Sequence, residues 1–363
     1  MRAALFTHDA FPTPSAKTAH GLVRGPSRFE IVALVDRTIA GRDAGTVLDG
    51  RARGILAYSD FDALFSAVER REVAQPDLVV VGIATSGGVL PPEMKATLLR
   101  AVERGLGIVC GLHEFLSDDP VFVEAARRAG VTLHDVRKPK PRGELHFWSG
   151  AILDVRAPRI PVLGTDCALG KRTTCHVLSA ACRAAGIRPA IVATGQTGWL
   201  QGIPHGFVLD STPNDFVSGE LEHAVLSCDR DLKPDVIFLE GQSGLLNPSG
   251  PCGSELILSA ASRGVVLQHA PGRRYHDDQE HLHNEIAPLG KQIALIEMYG
   301  AQVLGVTLND EGVRAEDRER VRAAVERETK LPTVWPLHEG ADRLVEPIRA
   351  HLERQSAERA RRP

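Results

Sequence analysis

Short runs of nearly continuous apolar residues recur along this chain, and each is followed by an amphipathic stretch. "AALF", "FEIVALVD", "GILAYS", "PDLVVVGIATSG", "GLGIVCGL" and "GVTLHDV" read as strands rich in Val, Ile and Leu. Strands of that kind are covered on both faces, as in parallel sheets. Helical patterns such as "DFDALFSAVERRE", "PPEMKATLLRAVERG" and "DPVFVEAARRAG" lie between them, and Pro91 and Pro92 suit a first helical turn. Alternating strand and helix predicts a parallel sheet with right-handed crossovers, an α/β architecture.

The alternation stops at "RKPKPRGELHFWSG", where prolines and basic residues dominate. It then resumes. "RIPVLGTD", "RPAIVATG", "PDVIFLEG", "GVVLQHAP" and "GAQVLGVTLND" read as strands, and "GKRTTCHVLSAACRAAG", "EDRERVRAAVERETK" and "ADRLVEPIRAHLERQ" as helices. The 363 residues suit two domains of roughly 100–200 residues each. The expected layout is an α/β domain over 1–137, a linker over 138–150, a second α/β domain over 151–353 and a frayed tail over 354–363.

Charge and composition remove several classes of partner. A net charge of −3 gives no general drive toward nucleic acid or acidic membranes, and 5% aromatics offer no platform for stacking bases. No apolar run reaches the roughly 20 residues that span a bilayer. The opening "MRAALFTHDAF" lacks a signal-peptide pattern, and the six cysteines are scattered without a Cys-x-x-Cys pair. A cytoplasmic homo-oligomer acting on a small molecule is expected.

The first domain has a Rossmann-like pattern without its fingerprint. Asp36 ends the second strand, where a ribose-binding acid would stand. The loop after the first strand, "THDAFPTPSAKTAHGL", has no Gly-x-Gly-x-x-Gly, so Asp36 reads as a strand-end cap and NAD is not expected. Lys17, His20 and Arg24 read as a solvated face, with binding of an anion as the alternative.

The chemistry is expected in the second domain. "VLGTDCALGKRTT", Val162 to Thr174, lies between a predicted strand and a predicted helix, which is the context of a phosphate-binding P-loop. Backbone N–H groups and a helix N-terminus form an anion nest there, and Lys171 adds a positive charge. The candidate cofactor-binding residues are Gly164, Thr165, Asp166, Cys167, Ala168, Leu169, Gly170, Lys171, Arg172, Thr173 and Thr174. Asp166 stands where filament-forming and partitioning ATPases carry a second lysine. "GTDCALGK" resembles the loop of the dethiobiotin synthetase branch. "LEGQSGLLNP" resembles that branch's Glu-Gly loop, and Asn309 in "VLGVTLND" falls where such proteins read the base. Asp166 and Glu240 are placed to hold magnesium. Arg172, however, replaces the hydroxyl that usually completes the magnesium shell, and Thr173 is turned about 100° away. A diphosphate that needs no metal, such as coenzyme A, fits better, with Arg172 as a phosphate partner. ATP with Mg2+ is the alternative.

The whole chain resembles a two-domain family that pairs a Rossmann-like N-terminal domain with a P-loop C-terminal domain, long labelled as of unknown function. The resemblance is carried by "AKTAHGLVR" (16–24), "AGRDAGTVLDG" (40–50), "GTDCALGKRTT" (164–174), "GQTGW" (195–199), "NDFVSGELE" (214–222) and "LEGQSGLLNP" (239–248). That family includes D-glutamate N-acetyltransferases. The resemblance therefore implies acetyl transfer from acetyl-CoA to a D-amino acid, D-glutamate first, in amino-acid catabolism. The alternative is an ATP- and magnesium-dependent ligase or kinase.

N-acetylation needs a neutral amine and a group that takes its proton. Glu240 is the first candidate for that catalytic role and Asp215 the second. Gln196, Thr197, Trp199 and Gln242 are candidate substrate contacts. His269 and Arg273, with Arg274 beyond, are candidates to meet a dianionic substrate. Cys167, inside the loop, is expected to pack. The polar stretch "YHDDQEHLHNE" (275–285) matches no strong metal motif, so no metal ligand is assigned and a polar surface helix is expected there.

Overall fold

A computed structural model describes residues 1–361 of the chain. The chain forms two compact units. One comprises Met1–Lys140 and Gln196–Ile203; the other comprises Pro141–Gly195 and the chain from Pro204 onward.

The first unit alternates strand and helix: β1 (Arg2–Phe6), α1 (Lys17–Arg24), β2 (Glu30–Val35), α2 (Ala44–Asp49), β3 (Leu56–Tyr58), α3 (Phe61–Glu69), β4 (Leu78–Val81), α4 (Pro92–Glu103), β5 (Gly107–Cys110), α5 (Pro120–Ala129) and β6 (Leu133–Asp135). Its sheet is parallel throughout, in the order β3-β2-β1-β4-β5-β6, the doubly wound Rossmann arrangement. Asp43, Asp60 and Asp119 cap α2, α3 and α5 by accepting from Thr46, Ala63 and Val121 amides. Alternate strand residues feed two cores: Ala4, Phe6, Val79 and Val81 face one, and Ala3, Leu5, Leu78 and Val80 the other.

Asp36 is buried and fully engaged. It accepts from Thr7 Oγ1 (2.7 Å), the Phe11 amide (2.9 Å) and the Thr38 amide (3.0 Å), so it is a strand-end cap. His20 bonds the Phe11 carbonyl at 2.7 Å, and burial lowers its pKa. Lys17 is exposed, and Arg24 lies 3.5 Å from Asp49.

The second unit holds β7 (Arg159–Gly164), α6 (Lys171–Ala184) and β8 (Pro189–Ala193). The chain then gives α7 (Gln196–Leu200) to the first unit. It returns for β9 (His205–Gly206), α8 (Asn214–Leu232), β10 (Val236–Glu240), α9 (Ser254–Leu258), β11 (Gly264–His269), α10 (Leu289–Met298), β12 (Gln302–Leu308), α11 (Arg318–Thr329), β13 (Thr333–Val334), α12 (Pro336–Glu339) and α13 (Val345–Ala360). The parallel sheet runs β13-β12-β11-β7-β10-β8-β9. Leu163, Ile237, Leu239, Val265 and Leu267 face one core, and Ile160, Val162, Val236, Phe238 and Val266 the other.

Three expectations change here. The second domain is interrupted, because α7 packs its fully buried Leu200 into the first unit's core. The tail expected to fray is helical as far as Ala360; residues 362–363 lie outside the described residues. The segment 138–150 carries a single 3-10 turn, Arg142–Glu144, and its end is tied down. Glu220 accepts from the His146 amide (3.0 Å), and Glu222 accepts from the Ser149 (2.7 Å) and Ile152 (3.1 Å) amides. "NDFVSGELE", one of the stretches that carry the resemblance, is the first half of α8. Gly219 is required there because a Cβ would meet the His146 carbonyl at 1.9 Å. No helix among the described residues is long and apolar enough to cross a membrane.

Candidate functional site

β7 is central, paired with β10 on one side and β11 on the other. The register sets Glu240 opposite Val162 and Gln268 opposite Gly164, so three strands end together. Strands after β10 pass to the other side of β7, which makes this edge the topological switch point where open α/β sheets bind ligands.

The loop after β7 turns sharply. Ala168 (φ 52°) and Gly170 (φ 92°) are left-handed, and Gly170 caps α6. The Thr174 amide is bonded to Gly170, while the amides before it have no i−4 partner in the helix. Thr165 is buried. Its amide bonds the Gln268 carbonyl (3.0 Å), and its hydroxyl lies 3.1 Å from His269 Nδ1. Leu169 is buried; its carbonyl accepts from Asn309 Nδ2 at 3.1 Å, so Asn309 holds the loop. Cys167 is half-buried and donates to Ser243 Oγ at 3.3 Å. Thr173 is half-buried, and Thr174 turns its hydroxyl inward to Gln268 Oε1.

Lys171 is buried and lies across two glycines. A Cβ on Gly164 would meet its Nζ at 2.9 Å, and one on Gly241 would meet its Cδ at 3.1 Å. The ammonium donates to the Asp166 carbonyl (2.6 Å) and the Ser243 carbonyl (2.8 Å), using two of three donors. Burial pushes its pKa down.

Asp166 is fully buried. Its carboxylate accepts from Asn247 Nδ2 (2.8 Å), Arg273 Nη1 (2.9 Å) and the Asp277 amide (2.8 Å), and lies 3.1 Å from His276 Nδ1. Burial favours its neutral form, but the Asp277 amide, Arg273 and His276 outweigh this and hold the pKa below the usual range. Arg273 also donates to the Cys167 carbonyl (2.9 Å) and to Glu311. Gln279 extends the network by donating to Asn247 Oδ1 at 3.1 Å. The stretch 275–285 is therefore not a surface helix. It is a loop with His276 and Gln279 buried behind the phosphate loop, and only Glu280–Leu282 form a 3-10 turn. Sequence reasoning missed Asn247 and His276 as partners of Asp166, and Gln279 behind Asn247; their polar character was the available signal.

Glu240, also buried, accepts from the Thr194 amide at 3.1 Å and lies 3.8 Å from Arg172 Nη1. Burial raises its pKa, opposed by Arg172 and the Thr194 and Gly195 amides. Gln242 donates to Thr194 Oγ1 at 2.9 Å, and a Cβ on Gly195 would meet Gln242 Nε2 at 3.0 Å.

Asp215 is exposed in the first turn of α8, where an acid complements the helix N-terminus. Gln196, Thr197 and Trp199 belong to the first unit, where Trp199 stacks on His134 (4.6 Å) beneath Arg28 (4.3 Å). Burial lowers the His269 pKa to about 4, so this histidine is neutral near pH 7. A cavity of about 330 Å³ adjoins it, lined by Arg273, Arg274 and Glu285 among others. Both arginines are paired, Arg273 with Asp166 and Glu311 and Arg274 with Glu285.

A Rossmann-like unit joined to a unit with a lysine-bearing phosphate loop defines the class: a two-domain α/β P-loop protein. A family model described as "Domain of unknown function (DUF1611_C) P-loop domain" matches residues 146–345, and its Rossmann-like counterpart, DUF1611_N, matches 37–139. The chain belongs to the DUF1611 family. A curated relative from Tritonibacter scottomollicae named D-glutamate N-acetyltransferase is 30% identical over 295 residues, covering 78% of this chain and 84% of its own. A second of the same name, from Pseudoalteromonas sp, is 30% identical over 279 residues, covering 73% and 79%. The crystal structure of a DUF1611 family protein from Anabaena variabilis ATCC 29413 superposes with a TM-score of 0.86 at 29% identity, covering 96% of this chain and 99% of that one.

Proposed function

We propose that this protein transfers the acetyl group of acetyl-CoA to the amino group of D-glutamate in cytoplasmic amino-acid catabolism. The observation that carries the reading is a phosphate cradle beside Glu240, a buried carboxyl whose proton affinity burial raises. The relatives' name supplies the acetyl group and the amino acid. The six cysteines are all free, in keeping with a reducing compartment.

In this reading the loop amides and Lys171 hold the diphosphate of coenzyme A. The amino acid arrives as an ammonium ion, and Glu240 takes one proton to free the lone pair. The nitrogen then forms a C–N bond to the thioester carbon, the C–S bond breaks, and the second proton lost from nitrogen goes to the departing thiolate. Glu240 returns its proton to solvent. A carboxyl with raised pKa suits such a base near neutral pH.

The test is incubation of the purified protein with acetyl-CoA and D-glutamate, following thiol release and N-acetylglutamate formation, with L-glutamate and other D-amino acids in parallel. Thiol release that needs a D-amino acid supports the reading. No acetylated product from any amino acid, together with magnesium-dependent ATP turnover, overturns it in favour of a ligase or kinase.

A further inference from the structure

Phosphate loops of this kind place a Ser or Thr directly after the lysine, and its hydroxyl binds magnesium. Magnesium demands a near-octahedral shell of oxygen ligands. The residues present do not fit that ion. Arg172 follows the lysine, and the Thr174 hydroxyl is turned into the core against Gln268. The Asp166 carboxylate is committed to Asn247, Arg273, His276 and the Asp277 amide. Glu240 already has a cation beside it, the Arg172 guanidinium at 3.8 Å. Among the described residues no three His, Cys, Asp or Glu side chains gather as a metal site.

We propose that Arg172 replaces the divalent ion, so that this cradle takes a diphosphate group without magnesium. Three observations converge. Arg172 lies in the first turn of α6, directly after the loop's lysine. Its Nη1 stands 3.8 Å from Glu240 Oε1, an ion-pair distance too long for a hydrogen bond, so the acid orients the fork without using up its donors. Its Nε is buried with no hydrogen-bond partner among the described residues. A guanidinium presents five donors in a plane that matches phosphate oxygens. Glu240 thus stands to this cation as the acid of a magnesium-using loop stands to its metal. The inference rests on the phosphate-loop reading and not on acyl transfer, since the diphosphates of a nucleotide and of coenzyme A are alike.

Calorimetry on the full chain, with ADP and coenzyme A as probes, tests it in magnesium and in chelator. Wild type is expected to bind at least one probe with the same Kd in both. Arg172→Ala should lose about tenfold to a hundredfold in both conditions, as the loss of a charged hydrogen-bonding partner implies. Arg172→Thr should lose as much in chelator and recover in magnesium. Melting curves establish that both variants fold. A wild-type affinity that rises tenfold or more with magnesium overturns the proposal. So does an Arg172→Ala protein that binds like wild type, or failure of both probes to bind. Magnesium-indifferent binding without acetylated product leaves this inference standing and removes the acetyltransferase reading instead.

Discussion

Two buried acids, Asp166 within the phosphate loop and Glu240 at the end of β10, are perturbed in opposite directions. Asp166 is held below its ordinary value of 3.8, so its stabilisation is present above that pH and is lost as pH falls through the lower folded value. Asp166→Ala leaves Arg273 buried against one fewer carboxylate and should cost about 3–5 kcal/mol in denaturant unfolding at pH 7. A loss under 1 kcal/mol would remove the idea that Asp166 pins the loop. Glu240 is raised above its ordinary 4.5, so its contribution is present below that pH and is lost as pH rises toward the folded value. Glu240→Gln should therefore gain stability relative to wild type at neutral pH and not in acid. If Glu240 is the base, acetyl transfer should fall about 10²–10⁴-fold in the same variant. Melts at both pH values, read beside the transfer assay, check the two effects separately. Lys171 and its glycines were legible because the motif is local. The partners of Asp166 were not, because Asn247 and His276 lie 81 and 110 positions away and only the folded sheet brings them near.

Among the described residues, all eleven strands longer than two residues could be read from their apolar runs, since burial on both faces leaves a plain signal. The edge strands β9 and β13 have two residues each, too few to show any pattern. α7 carries a packing role that its motif alone does not display. "GQTGW" follows a strand, as a ligand loop would, yet its Trp199 is sandwiched by His134 and Arg28, and the Arg28 Nε donates to the Trp199 carbonyl at 2.9 Å. A packing role makes a specific prediction. Trp199→Ala should destabilise the protein by about 2 kcal/mol, less than the ~3–5 kcal/mol of a fully buried aromatic, because the ring is half-buried. If packing is the ring's whole role, KM for the amino acid should stay within about twofold, a change under 0.5 kcal/mol. A large rise in KM without loss of stability would make Trp199 a substrate contact after all.

At the scale of the molecule, the first unit is assembled from two stretches of chain, and this decides whether it can stand alone. Residues 1–140 contain every strand of its sheet, so the sequence suggests a self-sufficient N-terminal domain. The structure adds α7 as part of its core. Leu200 is fully buried there, the Leu200 carbonyl accepts from the Arg28 amide at 2.8 Å, and Gln201 Nε2 donates to the Gly21 carbonyl at 2.9 Å. Leu200 alone is worth about 1.5–3 kcal/mol of burial, a large part of the stability of a domain this size. A fragment of residues 1–140 should therefore melt at lower temperature than the same fragment joined by a flexible linker to residues 196–203, and should bind a hydrophobic dye that the joined fragment excludes. Leu200→Ala in the joined fragment should bring its Tm back most of the way to that of residues 1–140. Identical melting of the short and joined fragments would mean that α7 merely rests on a core complete without it.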